Sequence, residues 1–89
     1  MLDIVYSTQF KKDFKKARTL PLADLKTIFE VLSTLEKEKR LDSRFKDHDL
    51  SGNWSPYREC HIKPDLLLIY KTSNTQLQLA RLGTHSALF

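Results

Sequence analysis

The hydrophobic period changes half-way along the chain, and this change constrains the fold more than any other feature. In the front half, apolar residues recur at i, i+3, i+4 and i+7, which is the spacing of an amphipathic helix: Leu25, Ile28, Phe29, Leu32 and Leu35. In the back half, apolar residues alternate with polar ones or form one short run, as in strands. With 89 residues the chain has room for one modest core. We therefore predict one α+β domain over residues 1–89.

A strand and two helices are predicted in the front half. Leu2 to Tyr6 has a strand pattern, and Ser7 or Thr8 can cap the helix that follows. Leu20-Pro21 separates this helix from the second one, because proline disfavours helix at the preceding residue and suits a first helical turn. The first helix is strongly basic: Lys11, Lys12, Lys15, Lys16 and Arg18.

Three strands are predicted in the back half, where they form an antiparallel meander. They occupy residues 54–62, 66–71 and 76–82. The preceding segment, residues 41–53, is polar and aperiodic, so we predict that His48 lies in a loop. This element order favours a helical hairpin packed on one face of a small sheet, with the opposite face free.

Strand alternation divides the candidate functional residues between the two sheet faces. Tyr57, Glu59 and His61 share one face, which we take to be the free one. Cys60 is on the other face and is predicted to be a small buried hydrophobe, since a lone cysteine makes no internal disulfide. Arg81 falls on the apolar face of its strand, which conflicts with a role as an active-site cation unless a bulge or a strand end turns it.

All three histidines, His48, His61 and His85, lie in the back half beside turn signals, and Asp65 is close in sequence. Histidine gives and takes protons near neutral pH. We expect the three side chains to meet on the free face of the sheet. Imidazole, carboxylate and guanidinium groups can together cleave RNA without metal, because the 2′-hydroxyl must lose a proton and the 5′-oxygen must gain one. The net charge of +4 also favours a polyanionic partner.

Other site chemistries are less favoured by the sequence. No two histidines have the H-x-x-x-H spacing that presents paired metal ligands on a helix, so zinc is not favoured. There is no G-x-S-x-G nucleophile elbow and no glycine-rich phosphate loop. The longest apolar run, Leu66 to Tyr70, is far shorter than the about 20 residues of a membrane span. We therefore expect a cytoplasmic protein.

Three motifs in the back half resemble the YafQ branch of the RelE-type toxins. They are K-D-H-x-L-x-G-x-W at residues 46–54, R-E-x-H-x-x-P-D at residues 58–65 and G-T-H-x-A-L-F at residues 83–89. The resemblance implies a RelE-like fold and a ribosome-dependent endoribonuclease that cleaves mRNA in the A site. It also implies a type II toxin that is silenced by a cognate antitoxin, reaches operator DNA only through the antitoxin complex and needs no cofactor. The basic first helix is then a candidate surface for docking on rRNA.

The resemblance also implies roles for individual residues. Four positions match the family's active site: His48, His61, Asp65 and His85. Glu59 and Phe89 match further residues implicated there, and we assign them to substrate binding together with Arg81 and Arg58, which we choose as candidate cations. His85 is the expected general acid, and the general base is either Asp65 or His48. Arg81 is the first candidate for stabilising transition-state charge, and Arg58 is the second.

Two rivals remain at this point. One is a binding module that kept the fold and the antitoxin surface but cleaves slowly or not at all. The other is a metal hydrolase.

Overall fold

One five-stranded sheet organises the chain. The computed structural model describes all 89 residues, Met1 to Phe89. Its elements are β1 (Asp3–Tyr6), α1 (Thr8–Ala17), α2 (Leu22–Glu36), β2 (His48–Asp49), β3 (Arg58–Lys63), β4 (Leu66–Thr72), β5 (Gln76–Gly83) and α3 (His85–Leu88), with 3₁₀ turns at Ser43–Phe45 and Gly52–Trp54. The strand order is β1-β5-β4-β3-β2, in which β1 is parallel to β5 and the other pairs are antiparallel. The predicted α+β class and meander are confirmed.

The prediction that His48 lies in a loop is wrong. His48 and Asp49 form β2, which pairs with the edge of β3 so that His48 is opposite Glu59. Two residues are too few to produce a hydrophobic period, and for that reason the sequence pattern does not reveal the strand.

The start of α1 follows the predicted capping chemistry. Ser7 Oγ accepts a hydrogen bond from the Phe10 N–H at 2.9 Å, and the same hydroxyl donates to the Ala80 carbonyl at 2.8 Å. The cap therefore starts the helix and also ties it to β5. None of the helices combines the length and the apolar character that crossing a lipid bilayer requires.

The main core lies between the two long helices and one face of the sheet, which we call the helix face. Its completely buried side chains include Ile28 from α2, Tyr70 from β4 and Leu77 from β5. Both helices are on this face, as predicted. Cys60 is buried here with 0% exposure, and burial raises the pKa of its thiol to about 12. The thiol therefore stays protonated and unreactive near neutral pH.

The opposite face of the sheet is not free, which corrects the prediction. Leu67 and Ile69 of β4 are buried there with Leu88 of α3, and Trp54 and Tyr57 pack against them. The continuous apolar run of β4 makes a second cluster necessary, because alternate residues of a strand point to opposite faces. Glu59 and His61 of β3 lie on the same face, opposite Ile69 and Leu67, so polar residues border this second cluster.

A β-bulge resolves the conflict over Arg81. The register between β4 and β5 shifts so that Ile69 is opposite Arg81 while Tyr70 is opposite Leu79. The shift turns the Arg81 side chain away from the apolar set, and its Nε lies 2.8 Å from Asp13 Oδ2 on α1.

Asp13 connects α1 to the edge of β5. β1 pairs with β5 only from Gln76 to Leu79, and Asp13 binds the edge beyond that point. Besides Arg81, its carboxylate accepts the Leu82 N–H at 3.0 Å, and the residue is only 8% exposed. Burial by itself would raise the pKa of Asp13, but the hydrogen bonds from Arg81, Leu82 and Gln9 outweigh it, so the pKa is below its ordinary value.

We expect Asp13→Asn to lower the free energy of unfolding by about 1–3 kcal/mol at neutral pH, because an ion pair and its hydrogen bonds are lost. The folded-state pKa lies below the unfolded value of 3.8, so the stabilisation is complete above that pH and is lost as the pH falls through the folded-state pKa. Urea unfolding between pH 2 and 7 measures both effects. The exposed Asp3→Asn is the matched control; an equal loss in both variants would contradict the interpretation.

Candidate active site

A buried carboxylate lies between two of the three histidines. Glu59 and His61 are two residues apart on β3 and therefore share a face, and β2 places His48 opposite Glu59. One oxygen, Glu59 Oε1, is 3.2 Å from His61 Nε2 and 3.5 Å from His48 Nε2. The Glu59 side chain is only 7% exposed, whereas that of His48 is 49% exposed. We call Glu59, His48 and His61 the histidine cluster.

The His48 ring is oriented by the backbone. His48 Nδ1 lies 2.7 Å from the Lys46 carbonyl oxygen, to which it can donate. Lys46 has a φ of 51°, in the left-handed region, and it ends the 3₁₀ turn Ser43–Phe45. With Nδ1 bound to the carbonyl, Nε2 is the nitrogen that faces Glu59 and the solvent.

A second carboxylate, Asp47, ties β2 to the rest of the sheet. It accepts hydrogen bonds from the Tyr70 hydroxyl at 2.5 Å and from Arg58 Nη2 at 2.9 Å. Arg58 also pairs with Asp49. The hydrogen bond with Asp47 raises the pKa of Arg58, and burial together with the Asp47 hydrogen bond raises the pKa of Tyr70. Arg58, predicted as a second substrate cation, therefore has both of its terminal nitrogens bound to acids.

A second cluster of candidate functional residues lies where β5 ends. Asp65, in the turn between β3 and β4, accepts a hydrogen bond from the His85 backbone N–H at 3.0 Å. Thr84 caps α3 by accepting the Ala87 N–H at 3.2 Å. The ring of Phe89 lies 5.1 Å from that of His85 and 6.3 Å from that of Trp54, measured between centroids. The terminal aromatic is packed here, and its stacking on substrate stays a prediction.

The histidine cluster and this second cluster lie at the same end of the sheet. His61 is opposite Leu67 on β4, and Leu67 is opposite Gly83 on β5, two residues before His85. Adjacent strands are about 4.8 Å apart, so β3 and β5 are separated by about 10 Å at this level. The structure brings His48 into contact range of His61 and joins Asp65 to His85. Arg81 is held separately by Asp13 beside α1.

The histidine cluster also has the donor set of a transition-metal site. One ligand atom from each of its three residues lies within 4.8 Å of the others. Two donors bound about 2.05 Å from one tetrahedral ion are about 3.3 Å apart, close to the 3.2 and 3.5 Å separations from Glu59 Oε1. The H-x-x-x-H spacing presents paired ligands on a helix only. Neighbouring strands can also bring ligands together, as β2 and β3 do here.

All but the first residue of the chain matches one protein family. The model of the bacterial toxin of type II toxin–antitoxin systems, YafQ, matches residues 2–89. The chain belongs to the YafQ toxin family. The match includes the three motifs at residues 46–54, 58–65 and 83–89, and it extends over the front half of the chain as well.

Three similar proteins match this chain over nearly their whole length. The mRNA interferase toxin YafQ of Escherichia coli K12 is 42% identical over 89 residues, which cover 98% of this chain and 95% of that protein. A metal-bound toxin from Helicobacter pylori has a TM-score of 0.90 and 44% identity, with 100% of both chains covered. The E. coli DinJ–YafQ toxin–antitoxin complex contains a chain with a TM-score of 0.83 and 40% identity, covering 99% of this chain and 97% of that one.

We expect Tyr70→Phe to lower the free energy of unfolding by about 1–2 kcal/mol, because Asp47 loses one hydrogen-bond donor while Arg58 remains. Amide hydrogen exchange should also speed up at His48 and Asp49 more than in β4. Tyr6→Phe removes an exposed hydroxyl from the same kind of ring and is the control. Unchanged exchange in β2 would show that the Tyr70 hydroxyl does not hold this strand.

Proposed function

We propose that this chain is an mRNA interferase, a ribosome-dependent endoribonuclease that cleaves mRNA in the A site of cytoplasmic ribosomes. The observation that carries the proposal is that, in a member of the YafQ family, His48 and His61 flank Glu59 and that His85, bound to Asp65 through its backbone N–H, follows β5 at the same end of the sheet. The E. coli relative named an mRNA interferase toxin supports the same activity. The proposed reaction needs no metal.

His85 is the proposed general acid that protonates the departing 5′-oxygen. Its side chain is exposed, while its backbone is fixed by the Asp65 carboxylate and by the cap at Thr84. The general base that takes the 2′-hydroxyl proton is either Asp65 or His48. Asp65 is next to the acid, and His48 presents an exposed Nε2 whose direction is set by the bond at Nδ1.

Charge on the phosphorus is stabilised by cationic groups around the site. His61 is proposed to contact the phosphate, with Glu59 orienting both His61 and His48. Arg81 is the first candidate for transition-state charge, because Asp13 contacts only its Nε and Nη2 and leaves further N–H donors for a phosphate oxygen. Arg58 is second, since its donors already serve Asp47 and Asp49. Phe89 is half-exposed and offers a face on which a base can stack.

The ribosome is the proposed source of ordered substrate. The five cations of the first basic segment, Lys11 to Arg18, are exposed on or just after α1 and suit an rRNA backbone. Two of the candidate catalytic residues, His48 and His85, are exposed on the surface at this end of the sheet. A surface of this kind needs its RNA held in place by something else, which favours cleavage on the ribosome.

An antitoxin encoded beside the toxin is the proposed protein partner. An apolar groove between β1 and the two long helices contains Tyr6, Phe14 and Phe29, and Phe29 is 56% exposed. Exposed apolar grooves of this kind mark protein interaction sites. The DinJ–YafQ complex supports an antitoxin as the occupant of the apolar groove. Operator DNA is then contacted only through the toxin–antitoxin complex.

Metal binding at the histidine cluster is a second candidate function. The two imidazoles and one carboxylate fit a transition-metal ion, and the metal-bound H. pylori toxin supports such a site. A bound ion would act as a Lewis acid or would occupy the imidazole nitrogens that acid–base catalysis uses. The first test below separates these two outcomes.

His85→Ala should reduce cleavage of mRNA on translating ribosomes by about 10²–10⁴-fold, the usual contribution of a general acid. The variant should still fold and bind antitoxin because the ring is exposed. Primer extension on the mRNA measures cleavage with and without EDTA, added well below the Mg²⁺ concentration so that ribosomes stay intact, and the neighbouring Ser86→Ala is the control. Equal activity of the two variants contradicts the role of His85.

The same assay separates the rival functions. Activity that EDTA abolishes and zinc restores favours the metal hydrolase, and intact mRNA at high dose of the wild type favours the binding module.

Phe29→Ser should weaken antitoxin binding by about 30-fold or more, as expected for an aromatic hot spot, while cleavage is unchanged. Leu22→Ser is the matched control, because Leu22 is also exposed on α2 but does not line the apolar groove. Calorimetric titration with the antitoxin from the neighbouring reading frame gives both affinities. If both variants bind like the wild type, the antitoxin does not dock in the groove.

A further inference from the structure

A cationic pocket of about 390 Å³ adjoins the histidine cluster. It lies between α2 and the 3₁₀ turn Ser43–Phe45, and His61 forms one of its walls. The other charged lining residues are Arg44, Lys46 and Lys63, and no acidic residue lines it. We call this the cationic pocket.

Two of these cations are free to bind an anion. Lys63 pairs with Asp24 at 2.7 Å, whereas neither Arg44 nor Lys46 has an ion-pair partner. The Arg44 guanidinium carbon lies 4.6 Å from the centroid of the Phe45 ring, so its position is supported by a buried aromatic face. The cationic pocket thus carries two unpaired positive charges beside His61.

We propose that the cationic pocket binds the backbone phosphate of the RNA next to the scissile linkage. The inference rests on the proposed nuclease function, and it assigns a substrate contact to Arg44 and Lys46. An RNA strand whose scissile phosphate lies at His61 has to cross a neighbouring surface, and this one offers positive charge without a competing carboxylate.

The chemistry of the cationic pocket favours a phosphate over a base. Phe45 is 7% exposed and has Arg44 over its ring, so no aromatic face is open for stacking. Contacts of this kind fix the position of the strand and do not read its sequence. Lys46 also accepts the hydrogen bond from His48 through its carbonyl, so a phosphate held by Lys46 is positioned relative to the His48 ring.

The test compares two double variants that remove the same charge. Arg44→Gln with Lys46→Gln empties the cationic pocket of its unpaired cations. Lys37→Gln with Lys39→Gln removes two exposed charges that do not line it. For each protein, kcat and KM are measured on programmed ribosomes. Binding of an RNA oligonucleotide carrying 2′-O-methyl groups is followed by fluorescence anisotropy as a function of KCl concentration.

The Arg44→Gln/Lys46→Gln variant, which we call the pocket variant, should have a KM about tenfold higher with kcat nearly unchanged. The contacts that it loses stabilise the bound substrate and the transition state equally. The negative slope of log K against log[KCl] should become shallower by about 0.7 for each phosphate contact removed. The control double variant should match the wild type in both measurements. The proposal is overturned if the two double variants behave alike.

The two proposals fail in different ways. If the wild type cleaves mRNA and the pocket variant matches its control, the cationic pocket has no role while the nuclease function stands. If the wild type does not cleave but binds RNA with the predicted difference in salt slope, the nuclease function fails and only the contact between the cationic pocket and an RNA phosphate stands. Absence of both cleavage and RNA binding overturns both.

Discussion

The candidate active site depends on one partly buried carboxylate, Asp47. A strand of two residues makes too few backbone hydrogen bonds to hold itself on a sheet edge, so β2 needs another anchor. Asp47 supplies it by accepting from Tyr70 on the central strand β4 and from Arg58 on β3. The next residue along the chain is His48, which is thereby set opposite Glu59. A contact on the helix face of the sheet thus determines the arrangement of the histidines on the other face.

The two faces of the sheet divide stability from chemistry. The helix face contains the larger core, and the opposite face contains a small cluster around Leu67, Ile69 and Leu88. That small cluster brings α3 back across the sheet, which places His85 beside Asp65. The apolar residues of this face therefore position the polar ones.

Local patterns predicted the parts of the fold that local physics controls. The Ser7 cap, the helical stripe of α2, the meander and the burial of Cys60 depend on spacings of a few residues, and the structure confirms them. The ion pair between Asp13 and Arg81 joins residues 68 apart, and no short window of sequence contains that information. The same holds for Asp47 with Tyr70, which are 23 apart. The histidine cluster was predictable as a set of residue types, but its geometry required the register of β2 on β3.

Glu59 directs a single oxygen at both His48 and His61, and this sharing links the two rings. When either ring is removed, the Glu59 carboxylate interacts with the remaining histidine alone, and the electrostatic field at that histidine changes. The energetic effects of altering the two histidines will therefore be non-additive, because each change also alters the context of the other. A double-mutant cycle reports on the pair as one functional unit, and the worth of either imidazole is defined only in the presence of its counterpart.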